Sequence, residues 1–171
     1  VGFGGTGKLW FFQHVDIVPD IVIFGKKTQL SGIMVRDEFS QIFSPENSVR
    51  LEVTWDGDIS DMIRCKHIIK AYNEYDILNN VNKMSKLLFT TLSEMPEILN
   101  LRNCGLIFGF DLKNSEFRDT IISELHTNGL ICNKTGNNSV RLRPSLNLTE
   151  KDIKHAAELF KKSFTKKDKA S

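Results

Sequence analysis

At 171 residues, with 40% hydrophobic and 26% charged side chains, the chain has the size and balance of one ordinary globular domain or two small ones. A formal net charge of +2 gives no electrostatic case for a nucleic-acid or membrane partner, and no apolar run approaches the length of a bilayer span. Cys65, Cys104 and Cys132 are odd in number and far apart, which points to free thiols in a reducing, cytoplasmic setting, and the histidines share no metal-ligand spacing with them.

The chain opens at Val1 without a methionine, inside a glycine-rich stretch, and reads as a piece of something longer. Gly2-Phe3-Gly4-Gly5-Thr6-Gly7-Lys8-Leu9 fits G-x-G-x-x-G, and it fits a phosphate loop up to its last position. That last position needs a hydroxyl for magnesium and here holds Leu9, and no amphipathic helix follows before Pro19. What remains is a tight loop where backbone approaches a ligand or another chain segment. Trp10, Phe11 and Phe12 read as core or interface.

Short apolar runs at 21–24 and 32–35 have strand length, and residues 36–56 read as loops with one short helix. From Gly57 the period turns helical, with Ile59, Met62, Ile63, Ile68, Ile69 and Tyr72 near one face and Asp58 or Ser60 as cap. A second helix at about 78–95 ends before Pro96. Strand-like runs follow at 98–103 and 105–112, then a helix over 115–128 closed by Gly129 as C′ residue. Strands are expected at 130–133 and 139–143. A last helix is announced by Thr149-Glu150-Lys151-Asp152, with Thr149 as N-cap and an acid at N3. Its lysine-rich end, Lys161 to Lys169, reads as a solvated face and frayed tail. Residues 1–78 thus form the edge of an α/β unit with a linking helix, and 79–171 a self-contained α+β unit. Three glycosylation sequons, at Asn133, Asn137 and Asn147, are read as accidents of an Asn-rich composition.

In "PDIVIFGKKTQ", residues 19–29, an apolar strand runs through one glycine into Lys26-Lys27. Lysine is seldom buried, and ligand sites of open α/β sheets lie at the carboxyl ends of strands. A desolvated amine held there has a lowered pKa and is suited to carbonyl chemistry.

These residues, "GFGGTGKLWFFQHVDIVPDIVIFGKK", resemble the signature of the class III pyridoxal-phosphate-dependent aminotransferases, and the resemblance continues through "VTWDGDISDMIRCKHII" at 53–69 and "VRLRPSLNLTEKDI" at 140–153. Within the class, "GKKTQLSGIMV" and Trp55 after Thr54 are similar to the lysine 6-aminotransferases. The resemblance implies the fold type I of pyridoxal-phosphate-dependent transferases, an α/β fold: the end of the large cofactor domain over 1–78 and the small α+β C-terminal domain over 79–171.

It further implies pyridoxal 5′-phosphate as cofactor, an amino donor and 2-oxoglutarate as substrates, and a homodimer with its site at the subunit boundary. Lys26 aligns with the Schiff-base lysine, catalytic and cofactor-binding. Thr54 aligns with the threonine that reaches the cofactor phosphate of the other subunit. Arg141 aligns with the arginine that grips a substrate carboxylate, and Arg143 takes that place if the register slips. Lys transamination is the function implied; an ornithine or 4-aminobutyrate aminotransferase, or a non-catalytic assembly subunit, are the alternatives. The sequence departs from the family at Asp56-Gly57-Asp58, where the family has Gly-Gly-Asn, at Glu52, where the lysine enzymes tend to have Asn, and at Ser145, where a second proline is usual.

Overall fold

The computed structural model describes residues 2–44, 46 and 54–168, the side chains of 43 and 166–168 excepted. The chain forms two compact units: residues up to Phe3 with Lys8–Ile77, and Gly4–Gly7 with the residues from Leu78 on.

In the first unit, β1 (Ile21–Phe24) and β2 (Gly32–Val35) pair antiparallel, Ile21 opposite Val35 and Phe24 opposite Gly32. Gly32 is glycine for a packing reason: a Cβ there would stand 2.7 Å from Cζ of Phe24, whose ring crosses the partner strand at this point. Both strands have the bounds that the apolar runs predict. The loop region after them holds a 3-10 helix, Asp37–Phe43. Helix α1 (Ile59–Glu74) is capped by Asp58, whose Oδ1 accepts the Asp61 amide at 3.1 Å. Its covered face differs from the expected one. The less exposed positions are Asp61, Cys65, Ile68, Ala71 and Tyr72, while Ile59, Met62, Ile63 and Ile69 are exposed. Apolar residues occur on nearly every side of this helix, so periodicity alone selects no face. The aromatic run is partly packed: Trp10 meets Phe3 at 5.2 Å and Phe24 at 6.2 Å, and Tyr72 donates its hydroxyl to the Phe3 carbonyl at 3.0 Å.

The second unit is built on helices α2 (Ile77–Ser93), α3 (Ser115–Thr127) and α4 (Glu150–Asp168) and strands β3 (Leu99–Cys104), β4 (Ile107–Asp111), β5 (Asn133–Thr135) and β6 (Ser139–Leu142). The sheet is antiparallel in the order β3-β4-β6-β5. Phe108, Phe110, Val140 and Leu142 point to its covered face, and Val81, Leu92, Ile121, Leu125, Phe160 and Phe164 join them in the core. Phe110 and Phe160 meet edge to face at 5.9 Å. Burial of this many large apolar side chains, each stabilising by roughly 1.5–3 kcal/mol, is what fixes the unit.

The strand boundaries of this unit differ from the expected ones by one or two residues for β3, β4 and the end of β6, and by more for β5. Strand structure was expected from residue 130 but begins at Asn133, because Gly129 (φ +88) closes α3 with a double bond pattern: its amide donates to His126 and that of Leu130 to Leu125. That motif occupies the residues that would have begun the strand. Gly4–Gly7 of the opening stretch also belong to this second unit. The Leu106 amide donates to the Gly5 carbonyl at 2.9 Å, and a Cβ on Gly105 (φ +56) would stand 2.5 Å from that oxygen. The glycine stretch is therefore a close backbone-to-backbone approach, as the residues suggested once the nucleotide motifs failed.

Candidate functional site

Lys26 stands two residues past the carboxyl end of β1, in the seven-residue loop to β2. Its φ of +65 is unusual for a side chain with a Cβ, and Gln29 has φ +58 in the same loop. Such a backbone persists only where its surroundings over-determine it. Here the Lys26 carbonyl accepts from both the Gln29 amide (3.1 Å) and Gln29 Nε2 (3.2 Å), and the buried Thr28 donates its hydroxyl to Leu30 at 2.5 Å. A Cβ on Gly25 would lie 2.6 Å from Ser31 Oγ, so a side chain there would require Ser31 to shift. The desolvated amine expected at this strand exit is not found in this chain: the Lys26 side chain is exposed, because few residues pack over the loop, and among the described residues no carboxylate pairs with its amine. Lys27 is half-buried.

Thr54 lies exposed in the turn 54–57 that precedes α1. The charge at Asp58 is turned onto its own helix N-terminus, where it serves the Asp61 amide. Glu52 lies outside the described residues.

Arg141 and Arg143 stand in different surroundings of the second unit. Arg141 is exposed on the face of β6 away from the core, opposite Gly109 of β4 and Asn133 of β5. It borders a groove of about 330 Å³ shared with Arg102, Ile107, Gly109 and Thr135. Arg143 instead borders a cavity of about 140 Å³ between α2 and α4, walled by Leu88, Leu92, Ile153 and Phe160. No hydrogen bond or ion pair joins Lys26, Thr54 or Arg141 to one another among the described residues.

Sequence reasoning passed over the polar row beside Arg141. Arg102 donates from Nη1 to the Asn100 carbonyl (2.9 Å) and Asp111 Oδ1 (3.2 Å), and Ser139 Oγ donates to Asp111 at 2.5 Å. The Ser139 and Asn100 hydrogen bonds, with the Arg102 charge behind them, hold the Asp111 carboxyl below the ordinary carboxylate range. The alternation of core and polar residues in β4 and β6 carried that signal. Burial pushes the Cys132 thiol up to about 11, which keeps it protonated near neutrality. Among the described residues no cluster suited to a metal occurs, and no helix is long and apolar enough to cross a membrane.

The family model for class-III aminotransferases matches residues 1–164. The L-lysine-epsilon aminotransferase of Amycolatopsis lactamdurans is 32% identical over 92% of this chain and 37% of its own length. The 4-aminobutyrate aminotransferase of Kluyveromyces lactis is 33% identical over 95% of this chain and 36% of its own. Among solved structures, a lysine aminotransferase from M. tuberculosis superposes with a TM-score of 0.86 at 31% identity, covering 95% of this chain and 39% of that one. The α/β fold is theirs, and the chain spans under two fifths of the length of these relatives.

Proposed function

The chain belongs to the class III aminotransferase family, and from that premise we propose that it is part of a pyridoxal 5′-phosphate-dependent enzyme of the cytoplasm that transfers the side-chain amine of L-lysine to 2-oxoglutarate. The products are glutamate and 2-aminoadipate 6-semialdehyde, which cyclises. When bound, the cofactor supplies an aldehyde and an electron-withdrawing ring. The residues present suit such a group: a primary amine without an anionic partner among the described residues, on a locked loop, and an exposed threonine hydroxyl ahead of a helix whose N-cap acid, Asp58, accepts from its own helix amide.

Lys26 would hold the cofactor and, released by the incoming donor, move the proton at the carbon that bears the amine. Thr54 would hydrogen-bond the cofactor phosphate of the partner subunit in a homodimer whose site lies at the subunit boundary. Arg141 would grip a substrate carboxylate through its planar fork. Residues 1–78 would then be the end of the large cofactor domain and 79–171 the small C-terminal domain. The observation that carries the reading is the left-handed backbone at Lys26, a strain maintained by Gln29, Thr28 and Gly25 at the mouth of a strand.

The test uses the full-length protein loaded with pyridoxal 5′-phosphate. Borohydride reduction should leave the cofactor covalently on the peptide carrying Lys26. Lys26→Ala should lose that attachment and the bound-cofactor absorbance, and Lys27→Ala should keep both. Attachment to another lysine would overturn the assignment. The similarity to a 4-aminobutyrate aminotransferase sustains a second reading. It prevails if 4-aminobutyrate is turned over with 2-oxoglutarate in preference to lysine, whose cyclised product traps with an aromatic aldehyde reagent.

A further inference from the structure

Three directly paired residues form one row across the second unit's sheet. Arg102 of β3 stands opposite Gly109 of β4, and Gly109 stands opposite Arg141 of β6. Directly opposed residues share a face of a sheet, and two strand spacings put the Cα atoms of the arginines about 10 Å apart. The middle position has no side chain. Over it lies the Arg102 guanidinium: a Cβ on Gly109 would be 3.4 Å from its Nε, 3.5 Å from Cζ and 3.6 Å from Nη2. The same two arginines border the groove above Gly109.

The two guanidiniums differ in how they are held. Arg102 is fixed on its Nη1 side by Asp111 and the Asn100 carbonyl, while Nη2 makes one long bond of 3.4 Å to Ser139 Oγ and Nε makes none among the described residues. Arg141 has no ion pair among the described residues. Asp111, two residues along β4 from Gly109, engages Arg102 at Nη1 and offsets part of the positive charge, while the Nε edge of Arg102 lies over Gly109. Two like charges on one bare stretch of backbone repel, and an anion between them relieves the repulsion while using donors that are otherwise idle.

We infer that Arg102 is a positioning residue for the carboxylate held by Arg141, supplying a second, immobilised positive charge from its place over Gly109. The inference rests on the reading of Arg141 as the carboxylate grip. Arg141 makes the direct two-point contact. Arg102 is kept rigid by Asp111, Ser139 and Asn100, and orients the carboxylate toward that fork.

Steady-state kinetics of the full-length, cofactor-loaded enzyme test it, with 2-oxoglutarate as the probe. Arg102→Gln should raise KM for 2-oxoglutarate about tenfold with kcat lowered no more than about threefold, and Arg102→Lys, which restores charge without the fork, should recover part of the loss. Gly109→Ala fits sterically, since the new methyl meets nothing closer than 3.4 Å, yet it fills the floor between the arginines and should raise the same KM. Arg141→Lys raises KM if the underlying reading holds, and its combination with Arg102→Gln should then be less than additive. If Arg141→Lys raises KM while Arg102→Gln and Gly109→Ala do not, the inference falls and the Arg141 reading stands. If Arg141→Lys leaves KM unchanged, that reading falls and the inference with it. A drop in kcat and melting temperature with KM unmoved would mean that Arg102 serves only the fold.

Discussion

Asp111 accepts hydrogen bonds from Ser139 at 2.5 Å, Asn100 Nδ2 at 2.9 Å and Arg102 at 3.2 Å, joining β3, β4 and β6 through one largely buried carboxylate. Its pKa is lowered on folding, so its contribution to stability is fully present above the unfolded carboxylate value of about 4 and is lost as pH falls through the lower folded value. Asp111→Asn should therefore reduce stability near neutral pH and flatten the acid limb of a denaturation-versus-pH curve. An unchanged acid limb would show that this carboxylate is not what the network depends on. At this scale the sequence was legible where chemistry sits in a contiguous motif. The roles proposed for Lys26, Thr54 and Arg141 rest on such motifs: a cation leaving an apolar strand through Gly25, and two residues placed by their order relative to it. The row Arg102–Gly109–Arg141 was not visible, because its members are neighbours only through strand pairing, and pairing across a sheet is not written in local sequence.

Capping chemistry was the most legible feature of whole elements. Thr149 and Asp152 exchange bonds at the start of α4 as their spacing predicts: Thr149 donates from its amide (2.9 Å) and hydroxyl (2.6 Å) to Asp152 Oδ2, and the Asp152 amide donates to Thr149 Oγ1 at 3.2 Å. Asn114, not singled out from the sequence, accepts the Phe117 amide at 2.8 Å at the start of α3. These signals are local, so they survive without tertiary knowledge. The exposed face of α1 was misjudged for the opposite reason, since burial depends on what packs there. Helix α4 carries one internal misfit. Ser163 is buried at 1% exposure among Phe160 and Phe164, and its hydroxyl has no hydrogen-bond partner among the described residues. A buried unsatisfied hydroxyl costs roughly 1–3 kcal/mol. Ser163→Ala should then raise the free energy of unfolding by about 1 kcal/mol after the small loss of packing, and with it the denaturation midpoint. A lowered midpoint would mean that the hydroxyl is satisfied in solution.

Across the whole molecule the two units are unequally consolidated. The second contains nearly all fully buried side chains, including Phe108, Phe110, Leu112, Ile121, Leu125 and Phe160, on an antiparallel sheet backed by helices. The first contains few buried apolar residues among those described, chiefly Phe3, Cys65 and Ile77, and leaves Ile23 80% and Val18 76% exposed along with Ile59 and Trp55. Its sheet has two strands, and a two-stranded hairpin is marginal in water without further packing. The family resemblance made the fold readable in spite of this, because motif order identifies a fold even where the fragment's own packing is sparse. What motif order does not carry is local stability, which follows buried apolar contact and protected backbone bonds. Native-state hydrogen exchange on the chain of 1–171 should read the difference directly. Amides of β4, β6 and α3 should exchange slowest and share one opening free energy, as expected of a single cooperative core. Those of β1, β2 and α1 should exchange at least tenfold faster, through openings that leave the second unit protected. Equal protection in the two units would require contacts to bury the exposed residues of the first, and would overturn the view of the second unit as the independently stable part.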